Sequence, residues 1–181
     1  MSTATIPTKE KEAMEAQALD PLHSLSVYVS NKPGVLSRIA QAFARRGFNI
    51  ESLVVSPAAN GKFSRMTIGV RGDPERLGQI IAHVGKLVDT LRCVDHTEDN
   101  AVTRELALVK VRCGEEQRLG VLQIVEHFGC KTVDLTETSL IIMATGDSDK
   151  VDAFVRMIGK YEVIELVRTG KVVMARGDVE T

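Results

Sequence analysis

Apolar and polar positions alternate with period two in several short runs: SLSVYVS (24–30), FSRMTIGVR (63–71), ELALVKV (105–111) and SLIIMAT (139–145). In the second, Met66, Ile68 and Val70 alternate with Thr67, Gly69 and Arg71, the pattern of a half-buried β-strand. Between such runs the spacing changes. Leu77, Ile80, Ile81 and Val84 fall at i, i+3, i+4 and i+7, as do Val151, Phe154, Val155 and Ile158. That spacing places one apolar stripe on an α-helix.

The two helical segments, GDPERLGQIIAHVGK (72–86) and GDSDKVDAFVRMIGK (146–160), lie 74 positions apart and begin and end alike. Asp73 and Asp147 are natural N-caps, because a short carboxylate accepts first-turn amide hydrogens. Upstream, Ile39, Ala40 and Phe43 lead to Gly47, while Val121, Leu122 and Val125 lead to Gly129, here 82 positions apart. The hairpin that follows is thus eight residues longer in the first copy, with turn chemistry in PAANGK (57–62). LVDTLRCVDHT (87–97) and YEVIELVRTG (161–170) supply a last strand for each copy.

Each copy therefore reads strand-helix-strand-strand-helix-strand, the ferredoxin-like βαββαβ order. The expected class is α+β: two such domains, each an antiparallel sheet with both helices on one face. Residues 1–22 read as a flexible polar tail, 23–99 as the first domain and 102–178 as the second, joined through Glu98-Asp99-Asn100. A bare apolar sheet face would associate, so contacts between copies or chains are expected.

Net charge is −1 over 181 residues, with 44% hydrophobic and 26% charged positions, an ordinary globular composition. Nothing in that balance recruits nucleic acid or an anionic membrane. No apolar run approaches the roughly 20 residues needed to span a bilayer, and the acidic N-terminal stretch does not resemble a targeting segment. The third strand carries one aromatic, Phe63, short of an RNA-stacking platform. Cys93, Cys113 and Cys130 are widely spaced, as reduced thiols of a cytoplasmic protein would be. His127 and Cys130 have no second ligand pair nearby, so no metal site is expected. Phosphate loops, nucleophile elbows and a helix-turn-helix are absent, and no independent active site is expected.

Binding remains, and the stretch NKPGVLS (31–37) at the first strand-to-helix junction is where it would occur. First-turn amides of a helix lack intrahelical partners and carry partial positive charge. Gly34 lets a ligand approach the backbone, and the Asn31 carbonyl oxygen could accept from an ammonium group. Together they would suit both ends of an α-amino acid; a simple Pro-Gly turn with Asn31 capping locally explains the same residues. At offset 82 the second copy has Cys113, Glu115 and Glu116 instead, and Lys131 and Thr132 in place of Asn49 and Ile50.

The stretch from His23 to Pro57, with RRGFNIESL (45–53) and SRMTI (64–68), KLVDTLRCVDHT (86–97) and VRTGKVVMARGD (167–178), resembles the small regulatory subunit of acetolactate synthase (acetohydroxyacid synthase). The resemblance covers residues 23–178. It implies an N-terminal ACT domain that binds a branched-chain amino acid, chiefly valine, between two ACT domains of a homodimer. It further implies a C-terminal ferredoxin-like domain and a catalytic large subunit as partner, which the small subunit activates and makes subject to feedback inhibition. Thiamine diphosphate, Mg2+ and FAD would belong to that partner, a transferase of valine, leucine and isoleucine biosynthesis, and none to this chain. Carried over, Asn31 would contact the polar end of the effector. Gly34, Val35 and Leu36 would supply backbone donors, and Asn49 and Ile50 would come from the neighbouring chain. Pro33 and Ser37 would support the loop. A stand-alone amino-acid sensor sharing the loop, without a catalytic partner, is the alternative.

Overall fold

The structure is a computed structural model that describes residues 20–97 and 101–181. The chain divides into two compact units between residues 100 and 101. The expected linker, Glu98–Asn100, and residues 1–19 of the expected tail lie outside the described residues. Leu22, placed in that tail, opens the first strand.

The first unit contains β1 (Leu22–Ser30), α1 (Val35–Ala44), β2 (Ile50–Pro57), β3 (Phe63–Arg71), α2 (Pro74–Gly85) and β4 (Thr90–Asp95). Its sheet is antiparallel in the order β2-β3-β1-β4. Alternation decides the faces: Leu25, Val27 and Val29 of β1 and Met66, Ile68 and Val70 of β3 are buried, beneath Ile39 and Phe43 of α1 and Leu77, Ile80 and Val84 of α2. Fully burying one such side chain contributes about 1.5–3 kcal/mol, so this layer carries the stability of the unit.

The second unit repeats the order with β5 (Val102–Arg112), α3 (Glu115–His127), β6 (Lys131–Leu135), β7 (Ser139–Gly146), α4 (Ser148–Ile158) and β8 (Glu162–Arg168). Its sheet order is β6-β7-β5-β8, again antiparallel. The core is formed by Val109, Val111, Leu140, Ile142, Val121, Val151, Phe154 and Ile158. A further short strand, β9 (Val172–Met174), pairs with the start of β5, an element the alternation did not predict.

The repeat extends to the helix ends. After α1, Phe48 N donates to Phe43 O and Gly47 takes φ +69°. After α3, Cys130 N donates to Val125 O and Gly129 takes φ +58°. Both are glycine-terminated closures in which a left-handed residue lets the chain double back onto its own last turn. Asp73 and Asp147 accept from Arg76 N and Lys150 N, as the sequence predicts for N-caps. The longer first hairpin owes its length only partly to the turn: β2 has 8 residues against 5 in β6.

Candidate functional site at the β1–α1 junction

Four helices occur among the described residues, and α1 begins unlike the others. Helices α2 and α4 have aspartate N-caps, with Glu75 and Asp149 in their first turns. Helix α3 has no side-chain cap but carries Glu115 and Glu116 there. Helix α1 has neither a side-chain cap nor an acidic first-turn residue. Its positive end is therefore left uncompensated by its own cap and first turn.

Gly34 is the N-cap and sits in the left-handed region at φ 82°, ψ −8°. Gly114, the N-cap of α3, is extended, at φ −76° and ψ 179°. A side chain at 34 would be strained by that φ, and its Cβ would lie 3.4 Å from Arg38 Nη1. Asn31, Lys32, Pro33, Gly34, Leu36 and Ser37 are exposed, whereas Val35 anchors the turn in the core.

The amides are not all equivalent. Val35 N makes a long bond of 3.4 Å to Lys32 O, so it is partly engaged within the turn. Arg38 N donates to Gly34 O at 3.1 Å, the first bond of the helix proper. The N–H groups of Gly34, Leu36 and Ser37 have no backbone acceptor among the described residues. Ser37 thus joins Gly34 and Leu36 as an open donor, where the family resemblance implied only a supporting place.

Asn31 is held at both ends. Its backbone N donates to Lys62 O at 2.9 Å, and its side-chain Nδ2 donates to Gly61 O at 3.1 Å. The amide oxygen Oδ1 has no partner among the described residues and stays available as an acceptor. Gly61, with φ +66°, belongs to the β2–β3 turn. This turn supports the junction, which the local reading of NKPGVLS did not reveal. Arg38, one helical turn beyond Gly34, pairs with Asp89, whose backbone oxygen accepts from Ser30 N at 2.8 Å.

Asn49 and Ile50 lie elsewhere. Ser30 is opposite Phe63 at one end of β3, and Ile50 is opposite Val70 at the other. Seven residues of strand separate those positions, roughly 23 Å at strand rise. Asn49 Nδ2 donates to Glu51 Oε1 at 3.2 Å, and Ile50 packs partly against its own core. One chain therefore does not bring Asn31 and Asn49 together. Pro33 stays in the exposed turn, between Lys32 and Gly34.

Among the described residues no cluster of three or more His, Cys, Asp or Glu is gathered, and no helix is long and apolar enough to cross a membrane. Burial pushes the Cys93 thiol up to about 12, with Asp95 adding to the effect. Burial also raises the Cys130 thiol, against a smaller opposing pull from Lys150.

Residues 25–92 match the family described as an AHAS small subunit-like ACT domain, and residues 104–177 the family described as small subunit of acetolactate synthase. A probable acetolactate synthase small subunit of Archaeoglobus fulgidus is 45% identical over 156 residues, covering 86% of this chain and 98% of that one. The acetolactate synthase small subunit of Mycolicibacterium smegmatis is 43% identical, over 87% of this chain and 92% of that one. The crystal structure of the acetolactate synthase small subunit from Thermotoga maritima superposes with a TM-score of 0.78 at 39% identity, covering 88% of this chain and 99% of that chain. With both units matched in order and nearly the whole length of these relatives covered, the chain belongs to the acetolactate synthase small-subunit family.

Proposed function

We propose that the protein is the regulatory subunit of an acetolactate synthase: it docks on a catalytic large subunit, activates it, and transmits feedback inhibition by a branched-chain amino acid. Family membership supports the partner. The uncapped, acid-free N-terminus of α1 beside Asn31 is the observation that carries the effector site. The effector carboxylate would sit on the open amides of Gly34, Leu36 and Ser37, worth about 0.3–1 kcal/mol and up to ~2 when partly buried. The ammonium group would donate to Asn31 Oδ1. Thiamine diphosphate, Mg2+ and FAD are assigned to the catalytic partner.

A homodimer through the N-terminal domains would complete the pocket. Strand β2 is an edge strand whose Leu53 and Val55 are 36% and 43% exposed. An exposed edge of this kind pairs readily with another strand. Two β2 edges paired antiparallel about a twofold axis would carry Asn49 and Ile50 of one copy to the end of the sheet where Asn31 of the other lies. Coupling of about 1–3 kcal/mol between effector and active arrangement is enough for regulation.

The experiment is calorimetric titration of the full chain with valine, leucine and isoleucine, alongside activity of the reconstituted pair. Gly34→Asp puts a carboxylate where the effector's should lie, so binding and inhibition are expected to vanish while activation persists. Unchanged valine titration would sink the site. Because one methylene is worth only ~1–3 kcal/mol, the three amino acids are ranked by the measurement. Failure to co-purify with a thiamine-dependent large subunit would favour the stand-alone sensor.

A further inference from the structure

Each unit has a groove between its two helices, and the two grooves occupy the same place in the repeat. In the second unit a cavity of about 340 Å3 is lined by Gly120, Gln123, Ile124, His127, Met157 and Tyr161, among others. In the first unit a cavity of about 250 Å3 is lined by Arg38, Gln41, Ala42, Arg45, His83 and Leu87. The same offsets that align the copies, 82 on the first helix and 74 on the second, map each of the six residues lining the first groove onto one lining the second, which adds Phe128 and Lys160. The slot is thus a product of the fold, as expected where two helices pack across one sheet. What differs is what fills it.

The second copy lines it mainly with apolar and aromatic groups, and Lys160 is its one Lys or Arg among the lining residues. Tyr161 lies so close to Gly120 that a Cβ there would meet its hydroxyl at 2.5 Å. Phe128 packs edge-on against Phe154, 5.7 Å between centroids. In the first copy Gly120 is replaced by Arg38, His127 by Arg45, Phe128 by Arg46 and Met157 by His83. Among the described residues, no acidic one lines the groove. Past the end of α1, Arg76 donates to Arg46 O at 2.8 Å and lies over the Phe48 ring. The side chains of Arg45 and Arg46 have no hydrogen-bond or ion-pair partner among the described residues. In a chain of net charge −1 the slot thus carries Arg38 and Arg45, with Arg46 next to Arg45 in the chain.

We infer that the α1–α2 groove is a docking surface for an acidic segment of the catalytic subunit, with Arg45 of its lining and the adjoining Arg46 as its cations. The inference rests on the small-subunit reading above. Arg38 links this surface to the effector junction. It lines the groove, reaches toward Gly34 and pairs with Asp89, and Asp89 in turn bonds Ser30 beside Asn31. A partner carboxylate drawn to Arg38 competes with Asp89, so docking bears on the residue that borders the effector.

The test titrates the catalytic subunit with the full chain at low and high salt, reading the concentration for half-maximal activation. Combining Arg45→Glu with Arg46→Glu should raise that concentration roughly tenfold or more and flatten its salt dependence, as rim charges govern steering and screening. Lys160→Glu, which changes a cation lining the second groove, should leave it unchanged. Activation by the double variant at the wild-type concentration, or equal weakening by Lys160→Glu, overturns the docking surface while leaving the effector reading intact. Should the double variant also lose its valine titration, the Arg45→Gln/Arg46→Gln pair decides. With valine binding kept, a lost salt dependence supports the surface and a retained one overturns it. A wild-type chain that never activates the catalytic subunit overturns both readings.

Discussion

Arg168 on the edge strand β8 closes on Glu105 of β5, with Nε 2.6 Å from Oε1. Glu105 is only 5% exposed and also accepts from Ser148 Oγ at 2.9 Å, at the start of α4. Arg168 Nη1 reaches Asp152 of the same helix at 2.7 Å. A buried carboxylate thus ties three elements of the second unit together, and its charge is met on both oxygens.

Glu105→Gln keeps the shape and leaves the Ser148 contact possible, but removes the charge. Hydrogen bonds to charged groups contribute about 1.5–3 kcal/mol, so a loss of that order is expected in urea unfolding. The bond to Glu105, and then Asp152, raises the Arg168 pKa above an already high value. The sign follows: stability from a raised base is complete below its unfolded pKa and falls only above it. The Arg168 contribution is therefore flat through the neutral range, and the loss in the variant should not vary between pH 6 and pH 9, to within about 0.5 kcal/mol.

Gly120→Ala sets two effects against each other. Alanine gains about 1 kcal/mol in helix propensity over glycine, but the new methyl would lie 2.5 Å from the Tyr161 hydroxyl. Overpacking of this kind costs about 1–3 kcal/mol, so the single variant should be destabilised or neutral. Adding Tyr161→Phe removes the clashing oxygen. A double-mutant cycle should show favourable coupling of about 1 kcal/mol or more; additive effects would mean that Tyr161 swings aside freely.

Cys93 stands opposite Val27 on β4, partly packed against the first core. Its pKa is raised from 9.0 to about 12 by burial, then by Asp95. The folded state therefore keeps the thiol proton where the unfolded chain has lost it. Stability from this group is full below about pH 9 and declines as pH rises toward 12. Alkylation at pH 9 should be at least roughly tenfold slower in the folded protein than in urea, since the thiolate is the reactive form. Equal rates would mean that the thiol is open to solvent.

What the chain disclosed by itself was local. The Asp73 and Asp147 caps and the glycine turns at Gly47 and Gly129 are settled within a few residues, so spacing alone reveals them. The bonds that shape the candidate site are not. Asn31 meets Gly61 thirty residues away, and Arg38 meets Asp89 fifty-one away. Glu105 and Arg168 are separated by sixty-three. Such pairs depend on which strands become neighbours, information held in the topology rather than in any window. The short β9 has three residues, too few for alternation to register. The matching of the two grooves was latent in the offsets 82 and 74, yet became visible only once both helices stood over one sheet.

The opposite placement of Asn31 and Ile50 along β3 carries a thermodynamic corollary. If the proposed effector needs both ends, a single chain offers half a pocket, and the effector would be a ligand of a pair of chains. Twofold symmetry would then give two equivalent pockets per pair, and mass action would link occupancy to assembly. Dilution would weaken the apparent affinity for valine, and valine would in turn hold the chains together.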